Sequence, residues 1–408
     1  MRILVLSTFD VWPPRDGGQN RYVNLWCNFS TEHEITILAY DFRNLAGERR
    51  YRLADHVEVI VPPASYGDAR HFHYMQNRTG LWLHDVLCLT DYSFSPSFLR
   101  RLSEKVSQCD VLVASHPYLA KVAFPIASSR VTRVYEGHNV ELDIKSNYFR
   151  SSRDTSLTRE LLEAVKYGED FAARQADLVT TVSEDDKIRL YELYGLHTKP
   201  ITTVPNGANI RPSNLLGLEE SNEVRASLGI KSGLVGIFLG SSYAANVESY
   251  KRGREMLHAA EFRGTMLLVG SIAEADRDCW PDVGFQERWL GFVDSEVRDV
   301  LLSTADFALH LIFAGAGTNL KMFDYMGAGV PILANEFGRR GVSHDNWCLF
   351  AEDAQELATA LENLTRKTDA GVNVSATARQ IALAEFDWRS IAIRFERFLS
   401  SEPLSFPK

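Results

Sequence analysis

FAGAGTNLKMFDYMGAGVPILANE, residues Phe313–Glu336, is the stretch whose reading decides the fold. Apolar residues from Ala305 to Ile312 read as a strand that stops at a flexible Gly315-Ala316-Gly317 turn. Thr318 is placed to cap the helix that follows, Gly327 and Gly329 to end it, and Pro331 to open the next strand. Strand, glycine turn, helix and strand in that order make one unit of a parallel sheet wrapped by helices. The turn also frees backbone N–H groups at the positive end of a helix dipole, where phosphate binds without needing a particular side chain. Lys321 and Asp324 fall three residues apart on one face of that helix. A cation near phosphate, with a carboxylate one turn deeper to accept from both ribose hydroxyls, is what a nucleoside diphosphate requires. An amphipathic helix with a cap and a surface ion pair is the alternative for this stretch alone.

Working outward, the same alternation runs along the whole chain. Seven apolar runs precede VPNGANI (Val204 to Ile210): Arg2 to Ser7, Glu34 to Tyr40, Val57 to Val61, Asp110 to Ala114, Arg133 to Glu136, Leu178 to Val182 and Ile201 to Val204. Five follow it, at Leu234 to Leu239, Thr265 to Val269, Glu287 to Leu290, Phe307 to Ile312 and Pro331 to Asn335. Helix-length amphipathic segments lie between them. Done twice, this pattern predicts an α/β chain of two doubly wound Rossmann-like domains. Pro-Asn-Gly at 205–207 marks the turn between them, giving domains 1–208 and 209–387. A last helix from Trp388, within 388–408, is expected to pack back on the first domain. Ligands of such sheets bind beyond the carboxyl ends of the strands, so the motifs are expected to converge on a cleft faced by both domains.

A chain of 408 residues exceeds one typical core, which agrees with two domains. Its formal net charge of -9 argues against nucleic acid as a partner, since phosphate-backbone binding needs a concentrated basic surface. Cys27, Cys88, Cys109, Cys279 and Cys348 are scattered, odd in number and without C-x-x-C spacing, so neither a disulfide framework nor a zinc site is expected. MRILVLST enters a β pattern at once, and no apolar run reaches the length of a membrane span. The expectation is therefore a cytoplasmic protein. LWLHDVLCL, Leu81 to Leu89, reads as a buried helix, or as a segment that could line an acceptor groove or touch a membrane surface, which would put the protein at the inner face of the membrane.

Further motifs carry chemistry. Gly17 and Gly18 precede a helix and let a ligand approach the backbone closely. His116 closes DVLVASHPY at the end of a strand, where an imidazole can exchange a hydrogen bond with a substrate hydroxyl. His138, in VYEGHNVE, reads as structural. IFLGSS places Gly240 and Ser241, and LLVGS places Gly270, just past strands. RWLGFVD supplies Phe292 and Val293, whose backbone could meet a nucleobase edge. Asp276-Arg277-Asp278 spells D-x-D but reads as an exposed helix, so no metal is expected there.

In this order, with ADLVTTVSEDD (Ala176 to Asp186), GFVD and the terminal FDW, these motifs resemble the retaining glycosyltransferases of the GT-B fold, specifically glycosyltransferase family 4. The resemblance implies an N-terminal acceptor-binding domain and a C-terminal domain for a UDP-, GDP- or dTDP-sugar. Transfer would go to a hydroxyl of a glycan, lipid-linked or other acceptor, as in polysaccharide biosynthesis, with retention and without a metal or other cofactor. It assigns Lys321 to the diphosphate, His116 to the neighbourhood of the transferred sugar, and Asp324 to the ribose in place of the family's second glutamate of E-x7-E. Donor contacts are expected from Gly17, Gly18, Gly240, Ser241, Gly270, Phe292, Val293, Gly315, Ala316, Gly317, Thr318, Asn319 and Leu320. The first glutamate of E-x7-E is Ala316 here, and the family's arginine and lysine after the first strand of the second domain are Ser241 and Asn246. Those departures keep two alternatives open: a non-catalytic GT-B subunit supporting a partner transferase, and a sugar-nucleotide epimerase of similar fold.

Overall fold

A computed structural model describes residues 1–90, 94–211, 215–278, 280–313, 319–366 and 369–400, the side chains of 369–372 excepted. The chain divides into two compact units. One holds Met1–Pro205 together with the C-terminal helix from Arg389, and the other holds Asn206 to Trp388.

The first unit is built on an eight-stranded sheet in the order β3-β4-β2-β1-β5-β6-β7-β8. Its strands are β1 (Arg2–Ser7), β2 (Glu34–Ala39), β3 (Arg49–Ala54), β4 (Val57–Val61), β5 (Val111–Ser115), β6 (Thr132–Glu136), β7 (Leu178–Thr181) and β8 (Ile201–Thr203). All neighbours run parallel except β3, which lies antiparallel to β4. The central strands are buried throughout, as in VLVAS of β5, because helices cover both faces. β3, RRYRLA, escaped the sequence reading: an edge strand needs little apolar content, and its arginines blunt the exposed edge. Leu81 to Leu89 is not an α-helix. Leu81 and Leu83 are buried outside any helix, Val86–Leu89 closes as one buried 3₁₀ turn, and Trp82 stays exposed.

The helix Trp388–Ser400 turns Phe395 onto Trp26 and Phe29, with ring centroids 5.8 and 5.7 Å apart.

The second unit has a six-stranded, all-parallel sheet in the order β11-β10-β9-β12-β13-β14. Its strands are β9 (Val235–Leu239), β10 (Thr265–Val269), β11 (Gln286–Gly291), β12 (Phe307–His310), β13 (Ile332–Ala334) and β14 (Leu349–Phe350). β14 spans two residues, too short for a pattern to reveal.

Both sheets reverse their strand order once. In the first, the chain leaves β1 toward β2 and later resumes on the other side at β5; in the second the same happens between β9 and β12. A crevice opens beyond the carboxyl ends of the two strands at such a switch. His116 directly follows β5, and Gly240 and Ser241 directly follow β9. Topology therefore puts these residues at the switch points, where ligands of such sheets generally bind.

Candidate functional site

In the first unit the helix Gly17–Cys27 begins under an Asp16 cap, whose side chain accepts from the Gln19 N–H at 2.9 Å. Gly18 lies against Phe9: a Cβ there would stand 3.3 Å from the ring. Phe9 in turn meets Tyr22, His84 and His116 at centroid distances of 5.6, 6.2 and 6.3 Å. The glycine pair and His116 thus border one aromatic cluster.

His116 has φ 67 and ψ 160, a backbone region that residues with a Cβ rarely occupy. Its N–H donates to the Glu136 carbonyl at 3.0 Å, its ring lies 4.1 Å from that of His138, and its Nε2 is 3.8 Å from Glu141 Oε1. His138, read from sequence as structural, shares this site. It stands 3.4 Å from the Glu136 carboxylate, and its Nδ1 has no hydrogen-bond partner among the described residues. Burial, helped by His116, pushes the His138 imidazole down to about 3, so it is neutral near pH 7.

Glu136 and Arg21 were not singled out in the sequence, and both are almost fully buried. Arg21 Nε donates to Glu136 Oε1 at 3.0 Å, and its two other nitrogens donate to the Pro205 and Val204 carbonyls, each at 3.0 Å. Burial opposes ionisation of Glu136, but His138 and the Arg21 guanidinium outweigh it and hold the carboxyl well below its usual range. With His138 neutral, the guanidinium is the charge that does this. Their signal lay in the sequence as charged residues inside apolar patterns, Arg21 on the inner face of a helix and Glu136 ending a strand.

Glu169 completes the scaffold. It accepts from the Glu141 and Leu142 N–H groups at 2.7 and 3.1 Å, capping the helix Glu141–Tyr148. It also accepts from the Tyr135 and Tyr194 hydroxyls at 3.1 and 2.7 Å. Burial, then the neighbouring Glu141, pushes its carboxyl up to about 7.

In the second unit, Gly270 has φ 103, and a Cβ there would sit 2.2 Å from the Gly240 carbonyl oxygen. Only glycine lets the ends of β9 and β10 approach so closely. Gly270 N–H donates to the Gly291 carbonyl at 2.7 Å, which draws the end of β11 to the same edge. Just beyond, Phe292 is exposed, whereas the Val293 side chain packs into the core. The D-x-D segment is not a helix. It follows a single 3₁₀ turn, Ser271–Glu274, as exposed loop, with the Asp276 carboxylate accepting from the Asp278 N–H at 3.1 Å.

The helix Leu320–Ala328 is capped by Asn319, not Thr318: the Asn319 side chain accepts from the Lys321 N–H at 3.2 Å. Gly315, Ala316, Gly317 and Thr318 lie outside the described residues. Gly327 is not a terminator but the last buried contact of the helix, where a Cβ would meet the Asn209 carbonyl oxygen at 2.6 Å. Gly329, with φ 71, ends it. The Tyr325 hydroxyl accepts from the Leu239 N–H at 2.8 Å, fixing the helix to the end of β9.

Lys321 donates from Nζ to Asn246 Oδ1 at 2.6 Å and lies 5.4 Å from the centre of the Phe238 ring. Asn246 Nδ2 donates in turn to the Ser241 hydroxyl at 2.7 Å. The residue is half-buried as a whole, yet burial of its ammonium pushes Lys321 down to about 7. Asp324 faces the other way, with Oδ1 3.8 Å from Nη2 of the buried Arg211, which also pairs with Asp299 at 2.6 Å. Lys321, Asn246 and Ser241 therefore form one cluster and Asp324 a neighbouring one.

Residues 16–211 match the model of Glycosyltransferase Family 4. The whole chain superposes on HepE from Anabaena, solved in complex with UDP, at TM-score 0.64 and 15% identity, over 98% of this chain and 100% of that one. It superposes on sucrose-phosphate synthase from Thermosynechococcus elongatus at TM-score 0.67 and 14% identity, over 98% of each chain. The fold is GT-B. A second HepE structure, with UDP-glucose, agrees at TM-score 0.63 and 17% identity, covering 98% of this chain and all of that one. Among curated proteins, none matches the chain. Among the described residues, no helix is long and apolar enough to cross a membrane.

Proposed function

We propose that this GT-B protein is a glycosyltransferase that moves a sugar from a nucleotide-sugar donor to a hydroxyl acceptor with retention of anomeric configuration. The observation that carries this reading is Lys321: a desolvated ammonium at the switch point of the second sheet, held by a neutral amide. A buried cation facing no carboxylate among its described partners is suited to an anionic ligand, and the positive end of the helix Leu320–Ala328 adds to it. Asp324, one turn on, is the ribose acceptor. The UDP and UDP-glucose complexes of HepE support a uridine donor over GDP- and dTDP-sugars.

As the donor's C1–O bond breaks, Lys321 and the helix N-terminus stabilise the charge growing on the departing diphosphate. In the first unit, His116 orients the acceptor hydroxyl, and the neutral His138 imidazole, whose two nitrogens are both buried, backs the His116 ring at a centroid distance of 4.1 Å. Among the described residues, the carboxylates beside them, Glu136 and Glu141, are engaged by Arg21, Ser115 and Tyr118 and so are poorly placed to act as a nucleophile. Front-face attack is therefore favoured over a covalent intermediate. The diphosphate is met by Lys321 and by the N–H groups and dipole of the helix N-terminus in place of a divalent cation.

A thermal-shift screen with UDP-, GDP- and dTDP-sugars tests donor binding, because a ligand that binds the native state raises its apparent stability. The UDP-sugar is expected to give the largest shift. Proton NMR of the product reads the anomeric outcome, and activity in EDTA reads metal independence. Donor binding without transfer to any acceptor would favour the non-catalytic subunit, and conversion of donor with no acceptor present would favour the epimerase.

A further inference from the structure

We propose that Asn246, backed by Ser241, is a positioning residue that presents the Lys321 ammonium to the donor diphosphate. This rests on the reading of Lys321 as the diphosphate ligand and concerns two residues that would otherwise count only as missing cations. A lysine carries its charge on a flexible four-carbon stem, so its direction must be set by an acceptor. Asn246 Oδ1 is that acceptor at 2.6 Å. The amide is held at both ends: its Nδ2 donates to the Ser241 hydroxyl at 2.7 Å, and turning it over would set Nδ2 against the Lys321 ammonium, donor against donor. Asn246 itself sits in the first turn of the helix Ala244–Ala259, its N–H donating to the Tyr243 carbonyl at 2.8 Å.

A neutral acceptor is the right choice for the task. A carboxylate at 246 would neutralise Lys321 and repel phosphate, and a lysine there would place two ammonium groups within hydrogen-bond distance. With an amide, one of the three ammonium protons stays on Oδ1 while the others remain for phosphate oxygens. Neutral residues at 241 and 246 and a lysine at 321 are thus one arrangement, in which a single cation meets the diphosphate.

The groups facing Lys321 bear this out. β9 presents the Phe238 ring, and β12 presents His310, which burial, together with Lys321, pushes down to about 3 and leaves neutral. On its own helix, Asp324 is turned to Arg211. No ionised group among them holds Lys321 charged, so its protonation, set near 7 by burial, should be visible in donor binding.

Binding of UDP and of inorganic pyrophosphate is measured by calorimetry from pH 6.5 to 9 on the full chain, with thermal melts confirming that each variant is folded. In the parent, the dissociation constant should rise as pH passes through the Lys321 midpoint, approaching tenfold per unit. Asn246→Leu removes an acceptor for the charged form and should move the midpoint to lower pH. Ser241→Ala should move it the same way by less. Asn246→Asp should move it at least one unit higher while weakening binding several-fold at the acid end. Midpoints that coincide in all four proteins, or a parent whose affinity is flat across the range, would overturn the proposal. A parent that binds neither probe instead removes the donor reading beneath it.

Discussion

Arg21 in the first unit and Lys321 in the second are both cations taken largely out of water, and they are treated in opposite ways. Arg21 is given everything it needs: a carboxylate, Glu136, at 3.0 Å and two backbone carbonyls. Lys321 is given one neutral amide and the flank of an aromatic ring. Desolvating a charge costs several kcal/mol, and a protein offsets that with a partner when the charge serves the fold. Leaving the partner out makes sense when a ligand is to supply it. Arg21 ties the end of the first sheet to the Val204-Pro205 segment, whereas Lys321 is, on the proposed reading, left for an anionic ligand.

The sharpest way to break this contrast is to remove the one carboxylate. Glu136→Ala leaves Arg21 buried and uncompensated and should cost about 3–5 kcal/mol in urea unfolding. Arg21→Met combined with Glu136→Leu should recover most of that. A single variant as stable as the parent would mean that Arg21 is solvated and not the structural cation of the pair.

Lys321→Ala should instead act on the ligand. Loss of a charge-assisted hydrogen bond is worth about 1.5–3 kcal/mol, so donor affinity should fall roughly ten- to hundredfold, and turnover with it as charge grows on the leaving phosphate. Unchanged kinetics in a folded variant would remove Lys321 from the site. Asp324 is remote from the bond being broken and supplies mainly uniform binding. Asp324→Ala should raise the donor KM by about 2 kcal/mol with a smaller effect on kcat, and Asp324→Glu should keep much of the affinity. If both variants bind as the parent does, the ribose contact lies elsewhere.

The two regions also differ in how much of them could be read from sequence. The second was legible because its parts are contiguous: strand, helix and strand occupy one stretch, and Lys321 and Asp324 are one turn apart. What remained hidden was direction. Spacing put both side chains on one face, but packing sends Lys321 to Asn246 and Asp324 to Arg211, partners 75 and 113 residues away. The cap moved by one residue because Asn319 and Thr318 are both good caps and only the backbone decides between them. In the first unit, strand periodicity placed His116 at a strand end, while Arg21 and Glu136 were passed over. Their meeting is made by β5–β6 pairing and a helix over 100 residues upstream, which no local pattern encodes.

The smallest expected effect is the one that separates the two cations most cleanly, because it asks what each does to the empty protein. Burial sets Lys321 near 7 in the folded chain, below the value of about 10.4 for a solvated lysine. Between those values the unfolded chain binds the extra proton, so stability rises with pH across that window and the cost of holding Lys321 charged is fully felt below it. Lys321→Met keeps the stem and removes the charge. It should stabilise the unliganded protein at pH 6.5 by about 1 kcal/mol, a figure discounted for the half-buried site, and the gain should shrink as pH rises from 7 toward 10. Urea unfolding of parent and variant at pH 6.5 and 9 reads both numbers. A destabilised variant at pH 6.5 would make Lys321 a structural cation like Arg21, and the distinction between a charge satisfied by the fold and one reserved for a ligand would be lost.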